Sequence, residues 1–389
     1  MHTLHRGLAT AAALLATVLI PPGLRAQPRP PLWTLTPELR IGGAGDEANP
    51  FTLVASLAVS NSGAIVVADE MQASVSVYDV QGRLRRKLGR KGSGPGEFQL
   101  ASLVGTRGDS VYVYDPQLQR LTLFAPDGRV AATVSAASLG SDARFPRVEP
   151  GAFLADGGVL GIPLDDSSPT RVPLVRMDRS GRNRVAVAYL DWSDGPMGQL
   201  RLPRGSLTLT RPVSSESLWD VSPAGDAIFV VARPVPRGAE EARFRVTRLT
   251  PRGDTVFSRS YRQPALRVSG HERDRLVTRM ATSPLVRQLG PDTRAIVEGL
   301  RIPEFLPPVT EAVAGRDGTL WLRREAFGRD EVEWLVLDAR GEIVGRLRLP
   351  ARLAVHQADR RKVWGVLPDA EDVPQVIRYR VDVGRATPR

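Results

Sequence analysis

Apolar and polar positions alternate along this chain in short runs, each closed by glycine or aspartate. From Leu57 to Phe98 an apolar run meets a turn at Gly63, followed by the runs Ile65–Ala68 and Val75–Tyr78. The turn Asp79-Val80-Gln81-Gly82 then leads into a fourth run. Period-two runs of this length between tight turns predict a four-stranded antiparallel meander, strands a to d, of roughly 40 residues.

The meander recurs six times. Its first turn, between strands a and b, reads Asn61-Ser62-Gly63, Arg107-Gly108-Asp109, Asp156-Gly157-Gly158, Ala224-Gly225-Asp226 and Arg316-Asp317-Gly318, with a degenerate sixth version at Ala358-Asp359-Arg360. Its second turn reads Asp79-x-x-Gly82, Ala125-x-x-Gly128, Asp178-x-x-Gly181, Thr250-x-x-Gly253 and Asp338-x-x-Gly341. An aspartate there accepts N–H bonds from its own turn, so these are hairpin residues rather than catalytic ones. One column of strand b holds Val66, Tyr112, Leu160, Phe229, Trp321 and Trp364. Such a column is expected to be the packing layer between adjacent sheets.

After Asp382, in the last copy, no fourth strand follows, while the chain begins with an unpaired one. Ile41, Gly42, Gly45 and Phe51 match Leu88, Gly89, Gly92 and Phe98 at a constant offset of 47, making Trp33–Ile41 a d-type strand without a blade of its own. The economical arrangement is a ring in which this strand completes the last sheet, removing the free edges. The expected fold is all-β: a six-bladed β-propeller of four-stranded antiparallel blades, closed by the N-terminal strand.

Ile65-Val66-Val67-Ala68-Asp69, Val75–Tyr78, Asp79-x-x-Gly82 and the run Gly92-x-Gly94-Pro95-Gly96-Glu97-Phe98 resemble NHL-type repeats. The chain as a whole is similar to the secreted bacterial six-bladed propeller proteins. The resemblance is specific over residues 39–134 and weakens beyond, where the Asp69 and Asp115 position becomes Pro163, Ala232, Arg324 and Leu367. Asp317-Gly318-Thr319-Leu320-Trp321 also resembles sensor-type propeller repeats.

Spacing marks two enlarged d-to-a connections. Gly63 to Gly108 spans 45 residues but Gly225 to Gly318 spans 93. The excess, about residues 269–301, contains the capping box Ser269-x-x-Glu272 and a short helix with Leu276, Val277 and Met280 on one face. Pro284 and Pro291 read as further helix starts. This helical insertion falls between blades four and five and is expected near the channel mouth, on the face carrying the b-to-c loops. The second enlarged connection is Leu190–Arg211.

Composition then narrows the setting. Residues 1–26 carry Arg6, an apolar stretch Leu8–Ile20 and a small-residue end at Ala26, the pattern of a secretory signal peptide. The remaining residues, 27–389, read as a single propeller domain, periplasmic or secreted and expected to be a monomer. With no cysteine there are no disulfides and no thiolate chemistry. The net charge of +11 falls to +9 once Arg6 and Arg25 leave with the signal. The one basic cluster, Arg83 to Lys91, has no interleaved aromatics, so nucleic acid is not the expected partner. The glycine run Gly89–Gly96 lacks a Gly-Lys-Ser/Thr ending and reads as a blade-to-blade connector, not a phosphate loop.

Several six-bladed families are metalloenzymes, and a metal site needs a convergent ligand set. Only His271 and His356 follow residue 26, which excludes a three-histidine zinc site of the amidating-lyase kind within one chain. A calcium site of the lactonase kind would draw on Asp69, Asp115 and Asp165, with Glu70, Asp166 and Glu325 nearby at strand b ends or in b-to-c loops. No convergent Ser-His-Asp set is evident. Arg233, Arg323 and Arg324 lie near the same face, where arginine forks suit carboxylates, and His356 sits on an innermost strand. The expected function is therefore a non-catalytic propeller without a required cofactor. It would recognise a partner protein, glycan or small anionic ligand through Asp69, Glu70, Asp115, Arg233, Arg323, Arg324 and His356. The alternative is a calcium-dependent lactonase- or esterase-like hydrolase with the ion in the channel.

Overall fold

The computed structural model describes residues 30–389 apart from 136–143, 146, 164–169, 179–182, 193–196, 203–204, 211–212, 282–296, 299–301 and 385–389. Asp165, Asp166, Pro284, Pro291 and the signal segment 1–26 lie outside the described residues.

Six four-stranded antiparallel sheets form the ring. The first comprises β2 (Val54–Val59), β3 (Ile65–Asp69), β4 (Ser74–Tyr78) and β5 (Leu84–Leu88). The second comprises β6 (Leu103–Arg107), β7 (Ser110–Asp115), β8 (Arg120–Phe124) and β9 (Val130–Ser135). The third is β10 (Val148–Phe153), β11 (Val159–Pro163), β12 (Arg171–Met177) and β13 (Arg184–Asp191). The fourth is β16 (Leu218–Val221), β17 (Ile228–Ala232), β18 (Ala242–Leu249) and β19 (Thr255–Gln263). The fifth is β20 (Glu311–Ala314), β21 (Leu320–Arg324), β22 (Glu331–Leu337) and β23 (Ile343–Pro350).

The sixth sheet closes the circle. It has the order β1-β26-β25-β24, with β1 (Thr34–Gly42) hydrogen-bonded antiparallel to β26 (Pro374–Asp382), beyond β25 (Lys362–Pro368) and β24 (Ala354–Ala358). The register runs from Thr34 opposite Asp382 to Gly42 opposite Gln375, with one irregularity at Pro37. Proline cannot donate to the ladder, so a break at that residue is expected. Trp33 anchors the approach to β1, its ring meeting Trp321 edge-on at 6.1 Å between centroids.

The strand b column is the packing layer its pattern implied in five of its six copies: Val66, Leu160, Phe229 and Trp321 are fully buried and Trp364 nearly so, whereas Tyr112 is half-buried. The turns behave likewise: Asp79 Oδ1 accepts from the N–H groups of Gln81 and Arg83, each at 2.9 Å. Gly82 completes that turn at φ 81°, a left-handed conformation open to glycine at little cost.

Of the two enlarged connections, the first holds α1 (Gly270–Ala281), which follows β19 and precedes the fifth blade. Ser269 Oγ accepts from the Glu272 N–H at 3.2 Å and bonds the Glu272 carboxylate, which forms the serine half of the capping box. Val277 is buried, and with Leu276 and Met280 it packs on Val268, Val297, Ile302 and Leu306. The second, Leu190–Arg211, contains a two-stranded ribbon, β14 (Met197–Leu202) with β15 (Gly205–Thr210). No helix among the described residues is long and apolar enough to cross a membrane.

Candidate functional site

The loops of blades four to six and the inserted helix line a partly open pocket of about 970 Å³. Glu272, Arg275 and Leu276 reach it from α1, at the i, i+3, i+4 spacing that puts three side chains on one helical face. Arg233 comes from the residue after β17, Arg323 from β21, and Arg329 from the loop after β21. Arg352 joins them from the turn after β23. Five arginines and three carboxylates (Glu272, Glu325 and Asp330) line the space, an excess of positive charge.

Two of these arginines form the fixed floor. Arg233 donates from Nε to the Glu216 carbonyl at 2.7 Å and from Nη1 to the Val309 carbonyl at 3.2 Å. Burial pulls its guanidinium down to about 10, against the opposing pull of Glu216, so it stays cationic at neutral pH. Glu216 itself is pushed up by burial, with the Arg233 charge opposing. Arg323 bonds Glu311 Oε1 at 2.5 Å and the Ala351 carbonyl at 3.1 Å. Burial raises the Glu311 carboxyl, and the Arg323 charge opposes it. Arg275 and Arg329, by contrast, are exposed and make no ion pair among the described residues. They are the two cations free to meet a guest.

Arg324, the neighbour of Arg323, points elsewhere in strand alternation. It pairs with Glu333 at 2.5 Å, and Glu333 is also held by Arg346 at 3.2 Å. Arg324 does not line the cavity.

The acidic candidates have a different job. Asp115 is fully buried; its Oδ2 accepts from Gln99 N–H (2.7 Å) and Leu100 N–H (3.2 Å), its Oδ1 from Gln117 and Leu118 N–H (both 2.9 Å). A carboxylate offers about four lone-pair sites, so this one is saturated. Asp69 repeats the arrangement one blade earlier, accepting from Thr52 N–H at 2.7 Å, Gln72 N–H at 3.1 Å and Leu53 N–H at 3.3 Å. Both side chains clamp the incoming connector to the b-to-c turn of their own blade. Glu70 is half-buried and takes only a long 3.5 Å contact from Ser102 Oγ. Among the described residues no group of three or more His, Asp or Glu side chains could hold a metal ion.

The glycine-rich connector is likewise closed on itself. Phe98 N–H donates to the Arg90 carbonyl at 2.8 Å, Gly94 N–H to Glu97 Oε2 at 2.8 Å, and Arg120 takes the carbonyls of Ser93 and Gly94 at 2.9 Å. The basic cluster beside it is partly neutralised: Arg83 and Arg85 share Asp79, and Arg90 pairs with Glu97.

The central channel is narrower, about 220 Å³, and is lined by the a strands of all six blades. His356 does face it, and so does Asp220, which the sequence patterns did not single out. Burial pushes the imidazole of His356 down to about 4 and the carboxyl of Asp220 up to about 6. Asp220 Oδ2 accepts from Ala314 N–H at 2.7 Å, across to the next blade.

Comparison with known proteins finds similar chains at low identity. A solved member of the DUF4221 family from Bacteroides vulgatus aligns over 91% of this chain and 99% of its own, at 9% identity and TM-score 0.48. A putative exported protein from Bacteroides fragilis aligns over 90% and 95%, at 11% identity and TM-score 0.47. Virginiamycin B lyase from Staphylococcus aureus aligns over 90% and 99%, at 9% identity and TM-score 0.43. No curated protein matches the sequence. Residues 46–129, most of the first two blades, match the family model DUF5128, described as 6-bladed beta-propeller, and the six sheets make Thr34–Asp382 a six-bladed β-propeller.

Proposed function

We propose that this propeller is an exported binding protein that holds a small organic anion, carrying more than one carboxylate, in the cavity beneath α1. The observation that carries the reading is the meeting of Arg275 and Arg329 with the buried Arg233 and the half-buried Arg323 around one partly open pocket. Guanidinium forks bind carboxylates in pairs, and a cavity walled by protein strengthens each contact relative to open water. Export rests on the N-terminal sequence pattern, with its basic start, apolar stretch and Ala26. Asp69 and Asp115 lend no support to a channel calcium ion, because backbone N–H groups occupy their oxygens.

The test is thermal denaturation of residues 27–389 with di- and tricarboxylates, against neutral analogues at matched ionic strength. A ligand at a hundred times its Kd stabilises by about 2.7 kcal/mol, so a bound anion raises Tm where its amide analogue does not. The shift disappears in the double variant Arg275→Ala/Arg329→Ala. Equal shifts for acid and amide, or an unchanged shift in the variant, reject the cavity as the site.

A further inference from the structure

Five of the six seams between neighbouring blades are filled by apolar clusters drawn from both sides: one–two, three–four, four–five, five–six and six–one. Among the described residues no such cluster joins blade two to blade three. On blade three's near face, among the described residues, Val159, Val175 and Met177 cluster with Phe145 and Val148 of the same blade. Between the blades lies a cavity of about 380 Å³, walled by Tyr114, Leu121, Leu123 and Val134 on one side and by Phe153 and Val159 on the other. At its inner end Tyr112 meets Phe153 at 4.0 Å between ring centroids, closing it towards the channel. Gly105 lets that ring in: a Cβ there would stand 2.0 Å from the Tyr112 ring.

We infer that this cleft is a second ligand site, distinct from the arginine-lined cavity, for a small amphipathic carboxylate with an apolar body of fatty-acyl kind. Its size falls in the range of small-ligand pockets, roughly 300–1,000 Å³. An apolar space gains little from water and accepts an apolar guest readily. The head group is set by charge. Arg107, at the end of β6, lines the cleft, is exposed and has no ionic partner among the described residues. Its charge is felt inside: burial pushes the Tyr112 phenol up to about 12, and Arg107 opposes that rise. The one carboxylate in the lining, Asp178, is bonded by Asn183 Nδ2 at 2.5 Å. A carboxylate at Arg107 with its chain between Leu121, Leu123 and Phe153 satisfies both ends of the site.

Equilibrium dialysis of labelled decanoate against residues 27–389 tests this, with decanol as the uncharged control. Wild type is expected to bind decanoate more tightly than decanol, and affinity to rise roughly fourfold per methylene from hexanoate to decanoate. Ala132→Trp, which places a ring in the cleft, removes binding of both. Arg107→Ala, an exposed change that leaves the fold intact, erases the preference for decanoate but keeps decanol bound. Absence of binding to wild type overturns the inference. So does binding that survives Ala132→Trp in a folded protein, or binding lost in Arg275→Ala or to excess citrate, which would place the acid beneath α1. Equal affinity for decanoate and decanol in wild type overturns the carboxylate assignment.

Discussion

The N–H of Val59 donates to the side-chain oxygen of Gln357 at 3.0 Å, joining innermost strands that lie 298 residues apart in sequence. The same oxygen accepts from Arg316 Nη1 at 3.2 Å, and Arg316 also takes the carbonyls of Val59 and Ser60. Blades five, six and one are thereby tied together beside the sheet that β1 and β26 complete. Arg316 lies over the Trp364 ring at 5.6 Å, and burial lowers its guanidinium, with Asp359 opposing. Closure thus rests on a polar clasp as well as on the pairing of β1 with β26.

Gln357→Ala leaves the Val59 N–H and part of the Arg316 guanidinium without a partner inside the ring. An unsatisfied buried donor costs about 1–3 kcal/mol, so urea unfolding is expected to show a loss of that order. Trp33→Ala, which empties a buried aromatic site against Trp321, is expected to cost about 3–5 kcal/mol. A loss below about 0.5 kcal/mol in either variant would mean that the seam is held by other contacts.

Asp115→Ala removes an acceptor serving four backbone N–H groups, two in the connector and two in the turn. The expected outcome is a marked loss of stability, with hydrogen exchange accelerated at Gln99, Leu100, Gln117 and Leu118 first. Asp115→Asn keeps one good acceptor and is expected to lose less. If Asp115 were instead a metal ligand, chelation of wild type would reproduce the effect of the substitution. EDTA is expected to leave Tm unchanged.

Acid stability carries two opposed contributions from the channel. His356 has a folded value of about 4 against an ordinary 6.5, so the unfolded chain takes its proton first and stability falls as pH drops from about 6.5 to about 4. Asp220 has a folded value of about 6 against 3.8, so the folded state holds the proton longer and stability falls as pH rises from about 3.8 to about 6. Each proton contributes a slope of up to about 1.4 kcal/mol per pH unit, and between pH 4 and 6 the two largely cancel. Asp220→Asn therefore steepens the loss towards acid, and His356→Gln makes the protein more stable towards pH 4. Parallel shifts of the whole stability profile, with no change of slope, would contradict this assignment.

Turn columns made most of the ring legible. Glycine and aspartate recur because tight hairpins need them, and the repeat of Ile41, Gly42, Gly45 and Phe51 at Leu88, Gly89, Gly92 and Phe98 exposed the strand exchange behind closure. The capping box at Ser269 located the inserted helix for the same reason: its signal is local. The arginine-lined pocket beneath α1 was only half visible. Arg233 and Arg323 were found by their place at strand b ends, whereas Arg329 and Arg352 come from loops whose convergence depends on three blades at once. Arg275 did carry a signal, its helical spacing with Glu272 and Leu276. Asp69 and Asp115 misled because an acidic residue at a strand end looks the same whether it binds an ion or a row of N–H groups. Only the partners distinguish the two, and those lie in the preceding connector.

The central claim is that the cavity beneath α1 takes a dicarboxylate between Arg275 and Arg329. Its most direct test is a crystal of residues 27–389 soaked with bromosuccinate and measured at the bromine absorption edge. An anomalous peak between those two guanidinium groups is predicted, and its loss in Arg275→Ala/Arg329→Ala. A peak on Arg324 or in the central channel, or no peak at all, would contradict it.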